Sequence, residues 1–140
     1  MAREIKFRGK DIQSDEWRYG YAQFNYNKTR AQIISPLRID ISAFPGQFFH
    51  VYKDTVCQFT GLYAKNGKEI YEGDILKITD GSVICICIVT WNEEIGAWSL
   101  MLRGHTETGE RPLGKWLCDN DYDIKVAGNI FDNKEILEYE

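Results

Sequence analysis

Glu69, Glu72 and Asp74 crowd around Tyr71, and carboxylates grouped in this way can exchange protons or hold a hard cation. The same residues also spell a turn. In Glu72-Gly73-Asp74 the glycine can take the unusual backbone dihedral while the aspartate accepts neighbouring amides. Structural use is the expectation, with Glu72 and Asp74 kept as candidate binding residues. His50 and His105 each stand alone, outside any HExxH, triad-like or nucleotide-binding arrangement. His105, which follows Gly104 in a loop-like stretch, is the third candidate binding residue. No catalytic residue is assigned, and a hydrolytic enzyme using Glu72 and Asp74 with a histidine ranks last among the readings.

The four cysteines invite a metal reading. Cys85 and Cys87 lie two apart in a β-branched run, so both point to one strand face, and Cys57 and Cys118 could approach in space. Tetrahedral zinc sites draw instead on C-x2–4-C knuckles, whose turn lets two thiolates converge. Burial is therefore expected for these thiols, with no metal and no cofactor. Gly9, Gly61, Gly67, Gly73 and Gly81 are isolated turn glycines, and no phosphate-cradling loop is present.

The elements that must position these groups read mostly as strands. Alternation across residues 3–8 turns Ile5 and Phe7 inward and leaves Glu4, Lys6 and Arg8 in water. Trp17, Tyr19 and Tyr21 share one face of the next strand and are assigned to the core, with Arg18 and Gly20 opposite. A short strand is expected over residues 31–35, and Pro36 blocks its continuation. Phe44-Pro45-Gly46-Gln47 reads as a turn, with Phe48-Phe49 in a loop tucked over the core or in an oligomer contact.

Residues 55–76 hold two tight-turn signals among three short strand runs. Asn66-Gly67 predicts a two-residue type I′ turn, which needs positive φ at both central residues, and Asp80-Gly81 predicts a second. Residues 83–91 are apolar on both faces, the pattern of a central strand covered on both sides. A further strand is expected over 96–102, then a mobile loop over 103–112. Strands are expected again over 115–118 and 123–130. One short helix should close the chain over 132–140, with Asp132 capping it, Glu135 completing the pair, and Ile136 and Leu137 pinning it. The fold class is mainly β: one small barrel-like domain (SH3-like or an open barrel) over residues 1–140, with hairpins and a short C-terminal helix.

At 140 residues the chain suffices for one core. Its 44% apolar and 27% charged content is ordinary for a globular protein, so disorder is not expected. Residues 1–60 carry 9 Lys+Arg against 6 Asp+Glu, whereas residues 61–140 carry 8 against 15. The net charge of −4 disfavours a dedicated nucleic-acid binder. The uneven split suits solvated faces, or head-to-tail self-association and docking on a charged partner. The start of the chain has no apolar signal-like run, and the longest apolar stretch is far short of the ~20 residues that span a bilayer. A cytoplasmic protein with reduced thiols and no membrane contact is expected.

Several segments resemble the YopX-like proteins of bacteriophages and prophages. They are Arg3-Glu4-Ile5-Lys6-Phe7-Arg8-Gly9, residues 17–20, Thr55-Val56 with Gln58-Phe59-Thr60-Gly61-Leu62, residues 65–75, and Gly128-Asn129-Ile130. Cys57, Ala64 and Lys134 depart from the family pattern, which has glycine, aspartate and proline there. The resemblance implies a small β-rich, barrel-like fold and a phage or prophage origin, and no particular activity. The favoured function is an accessory protein working without catalysis, through self-association or contact with a host or phage protein. Exposed strand edges and the apolar side chains of Phe44, Phe48 and Phe49 are the interface material. The alternative is a single-stranded nucleic-acid module, for which the N-terminal aromatics and Lys6, Arg8, Lys10, Arg18, Lys28 and Arg30 provide the chemistry. The core assignment of Trp17, Tyr19 and Tyr21 weighs against it.

Overall fold

The structure is a computed structural model that describes residues 4–35 and 47–138. It is mainly β, with strands in two open antiparallel sheets ordered β4-β3-β2-β1-β5-β6 and β10-β7-β8-β9 and no closed barrel. In chain order these are β1 (Phe7–Lys10), β2 (Trp17–Phe24), β3 (Ala31–Ser35), β4 (Gln47–Val51), β5 (Cys57–Tyr63) and β6 (Glu69–Tyr71). They continue as β7 (Asp74–Thr79), β8 (Ile84–Asn92), β9 (Ala97–Leu102) and β10 (Asp123–Asn129). Among the described residues one α-helix, α1 (Leu113–Cys118), precedes β10. Contacts gather the chain into two compact units, Met1–Phe59 and Thr60–Glu140.

In the first unit a small core forms from Ala31, Ile33 and Val51, with Phe7, Ala22, Phe49 and Val56 against it. Small residues decide which sheet face is buried. A methyl on Gly9 would stand 2.8 Å from Val51 Cγ2, and one on Gly20 would strike the Ile34 carbonyl oxygen. That face closes tightly because Gly9, Gly20 and Ala22 have little or no side chain, so the bulky alternate residues of β2 point the other way. The expected inward row is corrected accordingly: Tyr19 and Tyr21 are exposed, and so is Ile5. Arg8, expected in water, is buried with its guanidinium 4.7 Å from the centre of the Trp17 ring. Phe48 and Phe49, expected in a loop, belong to β4, which pairs with β3 through Ile34↔Phe48 and Ile33↔Phe49. The expected turn at Phe44-Pro45-Gly46 lies outside the described residues.

In the second unit β8 is an inner strand, paired with β7 on one side and β9 on the other, but the cover expected on both faces is not found, since Ile84 and Trp91 are exposed. One of its faces contributes Cys87 and Val89 to a core with Ile70, Leu76, Ile78, Leu100, Leu113 and Ile124. At some 1.5–3 kcal/mol for each fully buried aliphatic side chain, this cluster is the main stabilising element of the unit. Residues 115–118 were expected to be a strand and instead belong to α1. Leu113, Trp116 and Leu117 fall at helical spacing, Leu113 is buried in the core, and Pro112 precedes the first turn.

The closing segment forms one 3-10 turn, Lys134–Leu137, with no side-chain cap. Asp132 does not cap it, because Asp132 Oδ2 accepts from Asn129 Nδ2. Asn129 and Asn133 clasp each other instead: each backbone amide reaches the other residue, at Asn133 Oδ1 and at the Asn129 carbonyl. The Asn129 side-chain oxygen also takes the amides of Phe131 and Asp132, both at 2.9 Å. Arg103 donates to the Ile136 carbonyl at 3.1 Å and holds the turn in place.

Both glycine turns depart from the type I′ expectation. Asn66 and Asp80 have negative φ, since Asp15 and Lys28 are the only described non-glycines with positive values. The Gly67 amide donates to the Ala64 carbonyl, and only Gly67 (φ 86°) takes the left-handed conformation. This is an ordinary turn followed by a glycine bulge.

Candidate functional site

The acidic cluster of β6 and β7 folds inward. Asp74 is 1% exposed, and its Oδ2 accepts the Tyr71 amide at 2.8 Å, while Glu69 Oε1 accepts the Tyr71 hydroxyl at 3.2 Å. Gly73 (φ 82°) carries the bend, its amide bonded to the Val89 carbonyl and its own carbonyl to the Ile130 amide. Glu72 is half-buried in this turn. A carboxylate spent on a main-chain amide in a closed turn is poorly placed to meet a substrate.

The two histidines belong to different units. His50 is exposed on β4, and His105 is exposed after Gly104, its amide bonded to the Leu102 carbonyl. Cys57 lies in the first unit, and Cys118 ends α1 exposed. Cys85 and Cys87 share a face of β8 as their spacing predicts. Burial, with the neighbouring Cys85, pushes the Cys87 thiol up to about 11. Among the described residues no group of three or more His, Cys, Asp or Glu side chains gathers to hold a metal.

Two surfaces among the described residues bring rings together with polar or apolar neighbours. The first is the outward face of the N-terminal sheet. Register places Lys10 opposite Trp17 and Arg8 opposite Tyr19, then Tyr21 opposite Ile34 and Gln23 opposite Gln32. Phe48 and His50 continue the row on β4. Cross-strand partners point to the same side, so rings, amides and cations alternate across one face. Tyr21 is 59% exposed and Phe48 54%. Gln23, Gln32 and His50 line a shallow hollow of about 230 Å³ with Phe24, Asn25 and Arg30.

The second is a cleft of about 490 Å³ in the C-terminal unit. Cys85, Cys87, Leu100 and Leu102 form its floor, and Trp116 and Tyr122 form one wall. Those two rings meet edge to face at 5.1 Å, and the Arg111 guanidinium lies 4.3 Å over Trp116 while donating to Asp119 at 2.9 Å. That hydrogen bond, with help from the Asp121 amide, holds the Asp119 carboxyl below its ordinary range. Asp80 and Glu110 also border the cleft, and Val83 is exposed beside it. Sequence spacing places Cys85 and Cys87 on one face, but the cleft wall comes from α1, where the sequence pattern predicts a strand.

The family model for the YopX protein matches residues 6–138. This chain belongs to the YopX family. No curated protein matches it. Among solved structures it is similar to protein EF1440 from Enterococcus faecalis, with 23% identity over 98% of this chain and 100% of that one and a TM-score of 0.60. A likeness at that identity speaks for the fold of this YopX-family chain. No described helix of it is long and apolar enough to cross a membrane.

Proposed function

We propose that this YopX-family chain is a non-catalytic accessory protein, encoded by a phage or prophage and acting in the host cytoplasm, that works by binding protein, first of all a second copy of itself. The observation that carries this is the C-terminal cleft. An apolar floor and aromatic wall bordered by Asp80, Glu110 and Arg111 have the anatomy of a pocket for a partner's anchoring side chain, with charge confined to the rim. The charge split supports a second copy as the occupant: a unit with 9 Lys+Arg against 6 Asp+Glu is complementary to one with 8 against 15.

Light scattering of purified protein tests this, with Val83→Glu and Leu102→Glu placing a charge in and beside the apolar floor. The expected result is an oligomer that both variants dissociate while their thermal midpoints hold. A strict monomer that also captures no partner from host lysate overturns the reading.

A further inference from the structure

The outward face of the N-terminal sheet carries chemistry that the cleft does not use. We infer that this face is a platform for single-stranded nucleic acid, with bases stacking on Tyr19, Tyr21 and Tyr26 while Lys10, Lys28 and Arg30 follow the phosphates. The inference concerns a separate surface in a separate unit and stands independently of the protein-binding cleft.

Tyr26 makes the strongest case. It sits at the tip of the β2–β3 hairpin, wholly exposed. The tip is braced from within: Asn25 accepts the Arg30 amide through its side chain at 2.9 Å and the Lys28 amide through its carbonyl, and it donates to Thr29. Thr29 in turn donates to Asn27 at 2.8 Å. The braced turn holds a fully exposed tyrosine ring within four residues of two exposed cations, Lys28 and Arg30, which is the pairing of ring and charge that a base and its phosphate use. Tyr19 and Tyr21, both exposed on β2, add two rings on the outward sheet face itself.

Base edges would find hydrogen-bonding groups as well. Gln23, Gln32 and His50 line the hollow beside Arg30, and amides and imidazole can both donate and accept. Arg8 belongs to this face but is buried, with its guanidinium stacked on the Trp17 ring, so it positions a ring and does not reach for phosphate. The whole chain is acidic, yet residues 1–59 hold 9 Lys+Arg against 6 Asp+Glu, so a polyanion is drawn to this unit. Cations and amides set among the rings favour a nucleic acid over the apolar surface of a protein.

The test is fluorescence anisotropy with labelled oligothymidylate and oligouridylate of about 20 nucleotides at low salt, the two arms separating DNA from RNA. Binding is expected to weaken with salt. Tyr21→Ala and Tyr26→Ala should each cost about tenfold in affinity, with Tyr21→Phe restoring it. Lys28→Ala and Arg30→Ala should each lower the log–log salt slope by about 1. Circular dichroism confirms that these surface variants remain folded. A flat titration into the tens of micromolar overturns the inference, as does binding that depends on salt but not on the rings. A change in oligomeric state of Tyr21→Ala without oligonucleotide binding would make the face a protein interface and overturn it equally. The cleft variants leave this readout unchanged, so the two readings fail separately.

Discussion

The Asp74 carboxylate accepts the Tyr71 amide hydrogen at 2.8 Å inside a turn where both residues are almost wholly buried. This bond ties the most reactive-looking cluster of the sequence into the turn between β6 and β7. Asp74→Ala leaves a buried amide without that acceptor, and the expected loss is about 1–3 kcal/mol of unfolding free energy. Asp74→Asn keeps an acceptor oxygen and should lose less. Urea denaturation followed by tryptophan fluorescence measures both. Unchanged midpoints would mean that the turn does not depend on this bond.

Glycine substitutions should show what close approach adds to backbone strain, since Gly20 (φ +156°) carries both and Gly67 (φ +86°) the strain alone. A methyl on Gly20 strikes the Ile34 carbonyl, so Gly20→Ala should destabilise by about 1–3 kcal/mol or more, as overpacking does. Gly67→Ala meets nothing within 4 Å and bears only the strain of φ +86°, about 1 kcal/mol. The ranking is read from paired denaturation curves, and equal costs would contradict the tight contact between β2 and β3.

Acid should weaken the β7–β8 hairpin in a defined window. The Asp80 carboxyl accepts the amides of Val83 and Ser82 and the Ser82 hydroxyl, which lower it from 3.8 to about 2. Its folded value lies below its unfolded one, so its contribution is complete above the unfolded value and is lost as pH falls from near 4 through 2. Asp11 and Asp119 shift in the same direction through the Gln13 amide and the Arg111 guanidinium respectively. Asp80→Ala should flatten this part of a stability-versus-pH profile, and a variant as steep as the parent would remove the hairpin from the account.

Thiol labelling should report the burial of β8. Thiolate is the reactive form, so a Cys87 thiol raised to about 11 reacts slowly at neutral pH while exposed Cys118 reacts first. Mass spectrometry after timed iodoacetamide treatment resolves the order. Rapid labelling of Cys87 in the folded protein would show that the cleft floor opens readily.

The sequence disclosed its strands well wherever period-two alternation and apolar runs were strong, as in β3, β8, β9 and β10. It misled where a small residue outweighed bulk. Gly9, Gly20 and Ala22 chose the buried face of the N-terminal sheet, and three aromatics counted toward the wrong side. A six-residue helix was lost because Leu113, Trp116 and Leu117 span too short a window for a helical period to stand out. The turn glycines are legible in the sequence, but the type I′ geometry it predicts is not adopted, because the positive dihedral falls on the glycine alone. Both candidate surfaces followed from those errors: the ring-bearing face was hidden by the core assignment, and the cleft lacked its wall.

The loop after β9 folds back on that strand: Thr108 bridges Met101, the Gly109 amide bonds the Leu100 carbonyl, and Asn92 donates to the Gly109 carbonyl. An outermost ladder left bare invites growth into fibrils, and here the chain lays its own cover along the rim. Deleting residues 105–110 is expected to strip that cover and promote cross-β growth, which thioflavin fluorescence of the variant against the parent would report.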